Sequence, residues 1–365
     1  MMTNELLFFT SFLMLIATML VLDLGVFNKE SHVVSFKEAA AWSIVWVALA
    51  VSFYIFLKSY GDLIHGIDNF ERLKAIVNKY VDSPEELAYF NADDFQRSLQ
   101  SYRNVLSMEF IIGYLVEYSL SVDNIFVIIL IFTSFGVPEK YYKKVLMWGI
   151  LGAIVMRFIF IFVGSALVHQ FGWILYIFGG LLIYSGVKMI FGKEKEKIEP
   201  DKHPVVKFTS RYFAVFPRYV RDHFVIRNKY RNNQVMITPL FVVVLIIEFT
   251  DLLFAVDSVP AVFSVTKDPY IVFFSNIFAI MGLRSMFFFL SNIMHIFHYL
   301  KTGLSFLLIF IGVKMVAYEK LLKPIGFKSS YSLYVIIGIL IVSIVASLLF
   351  PPKEHSEKAV EKIKA

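Results

Sequence analysis

Stretches of about twenty apolar residues recur along this chain, and that is the length one helix needs to cross the roughly 30 Å hydrocarbon core of a bilayer. Nine such runs are read from the sequence, at approximately 6–27, 39–57, 110–135, 145–168, 172–191, 238–265, 271–297, 301–318 and 331–350. Hydrocarbon offers backbone amides and carbonyls no water to pair with, so only helices or a closed barrel can span it. A barrel strand alternates in polarity over about ten residues, whereas residues 334–350 are apolar almost throughout. The expected fold class is therefore all-α: a polytopic helical membrane protein with the lipid bilayer as its main surroundings. The first run lacks a basic leader and a small-residue cleavage site, so it is read as a retained helix.

Charge then sets the topology. Of the 365 residues 58% are hydrophobic and 18% charged, with a net charge of +6. That excess is concentrated: residues 192–237 hold eleven Lys and Arg against five Asp and Glu. A basic loop between spans is a cytoplasmic anchor rather than a nucleic-acid surface, and no nucleic-acid partner is expected. With this loop inside, alternate crossings put the N-terminus outside and the C-terminus inside a bacterial inner membrane. The inner segments then carry about twice as many Lys and Arg as the outer ones. The loop 319–330, with Lys320, Lys323 and Lys328, runs against the bias. The long outer segment 58–109 contains Ser83-Pro84-Glu85-Glu86, a helix-start pattern, and is expected to form small extracytoplasmic helices. There are no cysteines, which excludes disulfides, thiolate metal sites and a Cys nucleophile.

Three landmarks occur twice in the same order: Val122-Asp123 and Val256-Asp257, Arg157 and Arg284, then Gly186-Val187-Lys188-Met189 and Gly312-Val313-Lys314-Met315. Their separations, 134, 127 and 126 positions, are nearly constant. Residues 110–191 and 238–318 are therefore read as two copies of a three-helix unit. A unit with an odd number of crossings enters the membrane in the opposite sense when repeated, so a 3+3 inverted repeat follows by parity, with a site expected where the first helices of the copies meet. The remaining segments are two accessory spans in 1–57, the insert 58–109, the basic loop 192–237, and a final span and tail in 319–365.

Each copy carries a buried acidic motif. The first reads Glu117-Tyr118-Ser119-Leu120-Ser121-Val122-Asp123-Asn124; the second runs from Glu248 through Asp251 to Asp257, Ser258 and Pro260. A charge at mid-membrane costs about 2.5–3.5 kcal/mol on insertion scales, so five carboxylates would cost on the order of 12 kcal/mol if uncompensated. Arg157 and Arg284 are expected to neutralise two of them, leaving three to explain by function. On an ideal helix Glu248 and Asp251 share a face while Asp257 points the opposite way. Either the helix is unwound near Ala255–Pro260, the favoured reading because Pro260 lacks a backbone donor, or the acids serve different partners. Carboxylates, the Asn124 amide and the hydroxyls of Ser119, Ser121, Thr250 and Ser258 form an oxygen-rich set suited to hard divalent cations. Such carboxylates also exchange protons, which suggests metal/proton antiport.

At these residues the chain resembles the TerC family, in particular its Alx-like branch, within the wider group of LysE-type exporters. The resemblance covers nearly the whole chain: Leu22-Asp23-Leu24, Ala41-Trp42-Ser43 with Trp46, both acidic motifs, and Gly282-Leu283-Arg284. The most specific stretch is Phe254-Ala255-Val256-Asp257-Ser258-Val259-Pro260. Two features depart from the family pattern, the length of the insert 58–109 and Tyr54 where an Asn is expected. The resemblance implies a transporter that exports a divalent cation, Mn²⁺ above all, and a part in tellurium-associated and alkaline stress. It also implies a metal path through Glu117, Asp123, Asn124, Glu248, Asp251 and Asp257, with Asp23, Ser258, Arg157 and Arg284 as secondary candidates. No enzyme activity and no bound cofactor are expected.

Two other readings are kept open. A membrane partner that helps to load metal into secreted proteins would use the insert 58–109 as its contact surface. An intramembrane aspartate hydrolase fits less well, because no G-x-G-D element is present and duplicated acids suit a two-fold cation site. Lys188 and Lys314, near helix ends, are expected to snorkel to the interface. His295 and His298 are read as an interfacial pair.

Overall fold

The computed structural model describes residues 4–21, 34–81, 87–191, 203–228, 234–293, 299–317, 321–322, 324 and 329–350. It is a helical bundle of α1 (Asn4–Val21), α2 (Phe36–Tyr60), α3 (Phe70–Tyr80), α4 (Phe95–Ser134), α5 (Tyr142–Gln170), α6 (Ile174–Phe191), α7 (Pro204–Tyr212), α8 (Pro239–Phe263), α9 (Pro269–Ile293), α10 (Leu300–Ala317) and α11 (Ser329–Leu349). Eight of these helices are long and apolar enough to cross a membrane, and the apolar part of α1, Glu5–Val21, is shorter. Asp23, the helix-start pattern at Ser83 and the pair His295/His298 lie outside the described residues.

Local chemistry sets several helix starts. Ser35 accepts a hydrogen bond from the Glu38 amide, Asn69 from Arg72 and Asp94 from Arg97, each satisfying an otherwise orphaned donor at the first turn. The Asp94 cap opens α4 well before the span read from hydropathy, so the end of the insert 58–109 and the first repeat helix are one rod of 40 residues. The basic segment contributes an element the charge pattern did not announce, an antiparallel hairpin of β1 (Val225–Asn228) and β2 (Gln234–Ile237).

Among the described residues, the connections sort onto two ends of the bundle as alternate crossing requires. At one end Tyr219 donates to the Phe135 carbonyl at 2.8 Å, Lys144 reaches Asp222 at 2.9 Å, and Phe36 stacks on Phe289. At the other end His65 meets Asp268 at 2.7 Å, Arg72 meets Glu5 at 2.6 Å, and Tyr80 packs edge-on against His169. The start of α1 therefore lies with the insert, and the basic segment lies at the opposite end.

The centre of the bundle is α9, buried along almost its whole length. It packs on α2, α4 and α5, while α8 packs on α5 and α4, and α6 packs on α10. The last contact is backbone against backbone. A Cβ added at Gly312 would fall 2.6 Å from the Gly179 carbonyl, and one at Gly186 would fall 2.7 Å from the Ser305 carbonyl. Small residues allow this approach in lipid, where helices associate by packing rather than by expelling water. As one residue number rises the other falls, so α6 and α10 run antiparallel. Shifting Gly179 and Gly186 by the 126-position offset gives Ser305 and Gly312, so each close approach is the exchange image of the other.

Candidate functional site

Two polar centres flank α8, one walled also by α4, α6 and α10 and the other by α4, α5 and α9. Helix α8 is continuous from Pro239 to Phe263, so the unwinding expected near Ala255–Pro260 does not occur. Pro260 sits in the final turn, where the helix is ending in any case, and its own carbonyl still accepts from Ser264 at 3.0 Å. The reading that the acids serve different partners is the one the geometry follows.

The first centre is a cavity of about 450 Å³. Asp123 and Asn124 of α4 line it opposite Asp257 and Ser258 of α8, with Leu120 and Phe254 beside them. These three pairs are matched by the 134-position offset, so equivalent faces of the two motifs meet across one space. The wall is completed by Ser185, Lys188 and Met189 of α6 and by Lys301, Leu304 and Leu308 of α10. Ser185 donates to Asp257 Oδ1 at 3.0 Å, fixing one carboxylate oxygen. The hydroxyl of Ser258, which lines the cavity, is buried without a hydrogen-bond partner among the described residues; that of Ser121 is likewise unpartnered but does not line the cavity.

The second centre surrounds Arg157 of α5, fully buried, which donates to Glu117 of α4 and to Asn276 of α9. Its Nη2 lies 3.6 Å from Asp251 of α8. Glu117 and Asp251, also 134 positions apart, thus flank one guanidinium, as the neutralising role expected of Arg157 requires. Ser258 stands between the two centres, because its hydroxyl is also a neighbour of the Glu117 carboxylate. Asn124 and Phe254 join the large cavity to a small one, about 30 Å³, that Asp251 and Thr250 line.

The remaining candidates are dispersed. Glu248 lies against the bare face of Gly152 on α5, where a Cβ would fall 2.0 Å from its Oε1, and it lines neither cavity. Arg284, expected to mirror Arg157, instead lines a small recess with Glu38, Trp42, Trp46 and Lys143 at the bundle end that carries the basic segment. Among the described residues, no three His, Asp or Glu side chains converge as a preformed metal cage.

Of the two lysines of the repeated Gly-Val-Lys-Met motif, Lys188 is exposed in the last turn of α6, as expected of a snorkelling residue, whereas Lys314 is not. Lys188 lines the aspartate cavity, and Lys314 is buried with its Nζ donating to the Ser264 carbonyl at 3.1 Å. Sequence reasoning also missed Lys301, Ser185 and Asn276. Only Lys188 carried a signal that could have found it, its place inside a duplicated motif.

The model of the family described as "Integral membrane protein TerC family" matches residues 103–355. The chain is 40% identical over 338 residues to a membrane protein of Myxococcus xanthus designated STKORF319, covering 93% of this chain and 91% of the relative. It is 38% identical over 335 residues to a protein of Escherichia coli provisionally described as a membrane-bound redox modulator, Alx, covering 92% of each. A Photorhabdus laumondii protein with the same description is 39% identical over 87% of this chain and 88% of its own length. No solved structure matches. A family match across both acidic motifs, with relatives aligned from end to end at this identity, makes this chain a member of the TerC family of integral membrane proteins.

Proposed function

We propose that this protein is a secondary transporter that exports a divalent cation, Mn²⁺ first among the candidates, through the Asp123/Asp257 cavity. The observation that carries this reading is that two equivalent aspartates, one from each repeat, line a single open space with an amide, hydroxyls and no thiol. Two carboxylates match the charge of one dication, and Asn124, Ser258 and cargo-bound water extend the oxygen shell that such ions take. Carboxylates that bind either a proton or a metal couple the two, so proton antiport is part of the reading. The antiparallel α6/α10 pair supports alternating access, in which two inverted units rock about a fixed site.

The orientation that goes with export sets the basic segment 192–237 inside and the N-terminus outside, in the inner membrane. Its support is the sorting of connections onto two bundle ends and the charge bias between them. The redox role in the name given to the relatives would have to act here without thiol chemistry, since the chain has no cysteine. Movement of a redox-active metal such as manganese is one route to it.

The test is Mn²⁺ uptake into inside-out vesicles across an imposed pH gradient, with Ca²⁺ and Zn²⁺ compared. Uptake that collapses in Asp123→Asn and Asp257→Asn is the expected result. Undiminished uptake in both variants would overturn the reading.

A further inference from the structure

The aspartate cavity contains its own cations. Lys188 projects from α6 and Lys301 from α10 into the space that Asp123 and Asp257 share. Across the cavity that all four residues line, Lys301 acts electrostatically on Asp123, and Lys188 on Asp257. Two lysines and two aspartates thus line one cavity, and their formal charges balance. That balance matters because an uncompensated charge inside a membrane protein is costly.

A divalent cation entering this space would bring two further positive charges. It cannot share the aspartates with both ammonium groups, because like charges a few ångströms apart in a poorly polarisable cavity repel strongly. Lysine is suited to give way, since its charge sits at the end of a flexible four-carbon stem. Lys188, exposed at the cavity's edge, already has its Nζ 5.8 Å from the centre of the exposed Tyr184 ring, where a cation rests favourably, so leaving the aspartates requires little movement. Lys314, the repeat counterpart of Lys188, is engaged with the Ser264 carbonyl instead. Only one of the two equivalent lysines therefore faces the carboxylates, and the fold rather than the motif selects it.

We propose that Lys188 and Lys301 are built-in counter-cations of the Asp123/Asp257 site, displaced when a divalent cation binds and returning to the aspartates to expel it. This rests on reading the cavity as a divalent-cation site and adds specificity to it. A monovalent ion would gain too little from two carboxylates to displace both lysines, whereas a dication exchanges for them charge for charge. A lysine that only filled space or reached for the interface would leave cation affinity unchanged.

The experiment is titration calorimetry of Mn²⁺ into the purified full chain in nanodiscs, with the variants Lys188→Met, Lys301→Met, Lys188→Arg and Asp257→Asn. Each Lys→Met change is expected to tighten Mn²⁺ binding about tenfold, a shift of about 1.4 kcal/mol, and to slow Mn²⁺ release from preloaded vesicles. Lys188→Arg retains the charge and is expected to keep wild-type affinity, and Lys188→Gln repeats the test should the methionine variant fail to fold. Unchanged or weaker binding in the Lys→Met variants, with binding abolished in Asp257→Asn, overturns the proposal while the cavity reading stands. Weaker binding would mean that the lysines hold an anion accompanying the metal. Binding that survives Asp257→Asn overturns both.

Discussion

Arg157 and Glu117 form an ion pair in which neither side chain has any exposed surface. Both charges have left water and lipid, so each depends on the other and on Asn276 and Asp251 nearby. Removing one member of such a pair strands the other, which costs about 3–5 kcal/mol. Arg157→Met should therefore lower the thermal unfolding midpoint in detergent severely. The double variant Arg157→Met/Glu117→Gln should recover part of that loss, because the stranded charge is gone. A double variant no more stable than the single one would place the cost in lost packing instead.

The α6/α10 crossing makes a second prediction. Gly312→Ala would set a methyl 2.6 Å from the Gly179 carbonyl, an unyielding backbone atom, so the helices must separate. Overpacking of this kind costs about 1–3 kcal/mol. Because both helices also wall the aspartate cavity, Mn²⁺ uptake should fall with stability. Gly180→Ala, on the same helix with nothing within 4 Å, is the control and should be silent in both assays.

Asp257 is held by one neutral hydrogen bond from Ser185. Ser185→Ala should weaken the site by about 1 kcal/mol, or several-fold in Mn²⁺ affinity. Asp257→Asn removes a charge and should abolish binding in the same titration. Equal effects of the two changes would show that the carboxylate's orientation, not its charge, is what binds.

At the bundle end that carries the insert, stability should depend on pH. Burial alone would push the His65 imidazole down, but the carboxylates of Asp268 at 2.7 Å and Glu5 at 3.7 Å raise it from 6.5 to about 9. Arg72, bonded to Glu5, Tyr80, stacked on the imidazole, and Tyr270 of α9, edge-on to it, also surround it. A group whose pKa rises on folding stabilises in its protonated form. The contribution, on the order of a few kcal/mol, is whole below about pH 6.5 and is lost as pH climbs through about 9. The unfolding midpoint of the wild type should drop across that window, and that of His65→Gln should stay nearly level. Parallel curves would assign the drop to other groups.

Much of this arrangement was legible in the residues, and the limits have a common cause. Apolar run length marks the long apolar helices, and alternate crossing marks which of the described connections share an end, because both follow from the energetics of the bilayer. The duplicated landmarks led to Asp123 and Asp257, and the price of buried charge led to a neutralising role for Arg157. Helical phase put Glu248 and Asp251 on one face of α8 and Asp257 on the opposite one, and the first two do face α5 while Asp257 lines the cavity. It could not say what waits on each side, so a straight α8 serving a cavity, an arginine and a glycine was misread as a broken one. Arg284 was expected to copy Arg157 because repeats share sequence, but a copy packed among different neighbours need not keep the same contact. Lys188 is exposed near a helix end, as expected, but only the packing of α6 and α10 shows that the cavity reaches that end too.

The length of α4 has one more consequence. Forty residues of α-helix extend about 60 Å, twice the hydrocarbon thickness. The first fifteen residues of this rod, 95–109, about 22 Å of helix, belong to the insert, where Arg103 is clamped to Asp62 at 2.7 Å. The same rod carries Asp123 toward its other end, so it works as a lever with the membrane as its fulcrum. A grip on the outer arm that tilts it by a few degrees swings the aspartate by ångströms, on the scale of a metal–oxygen bond.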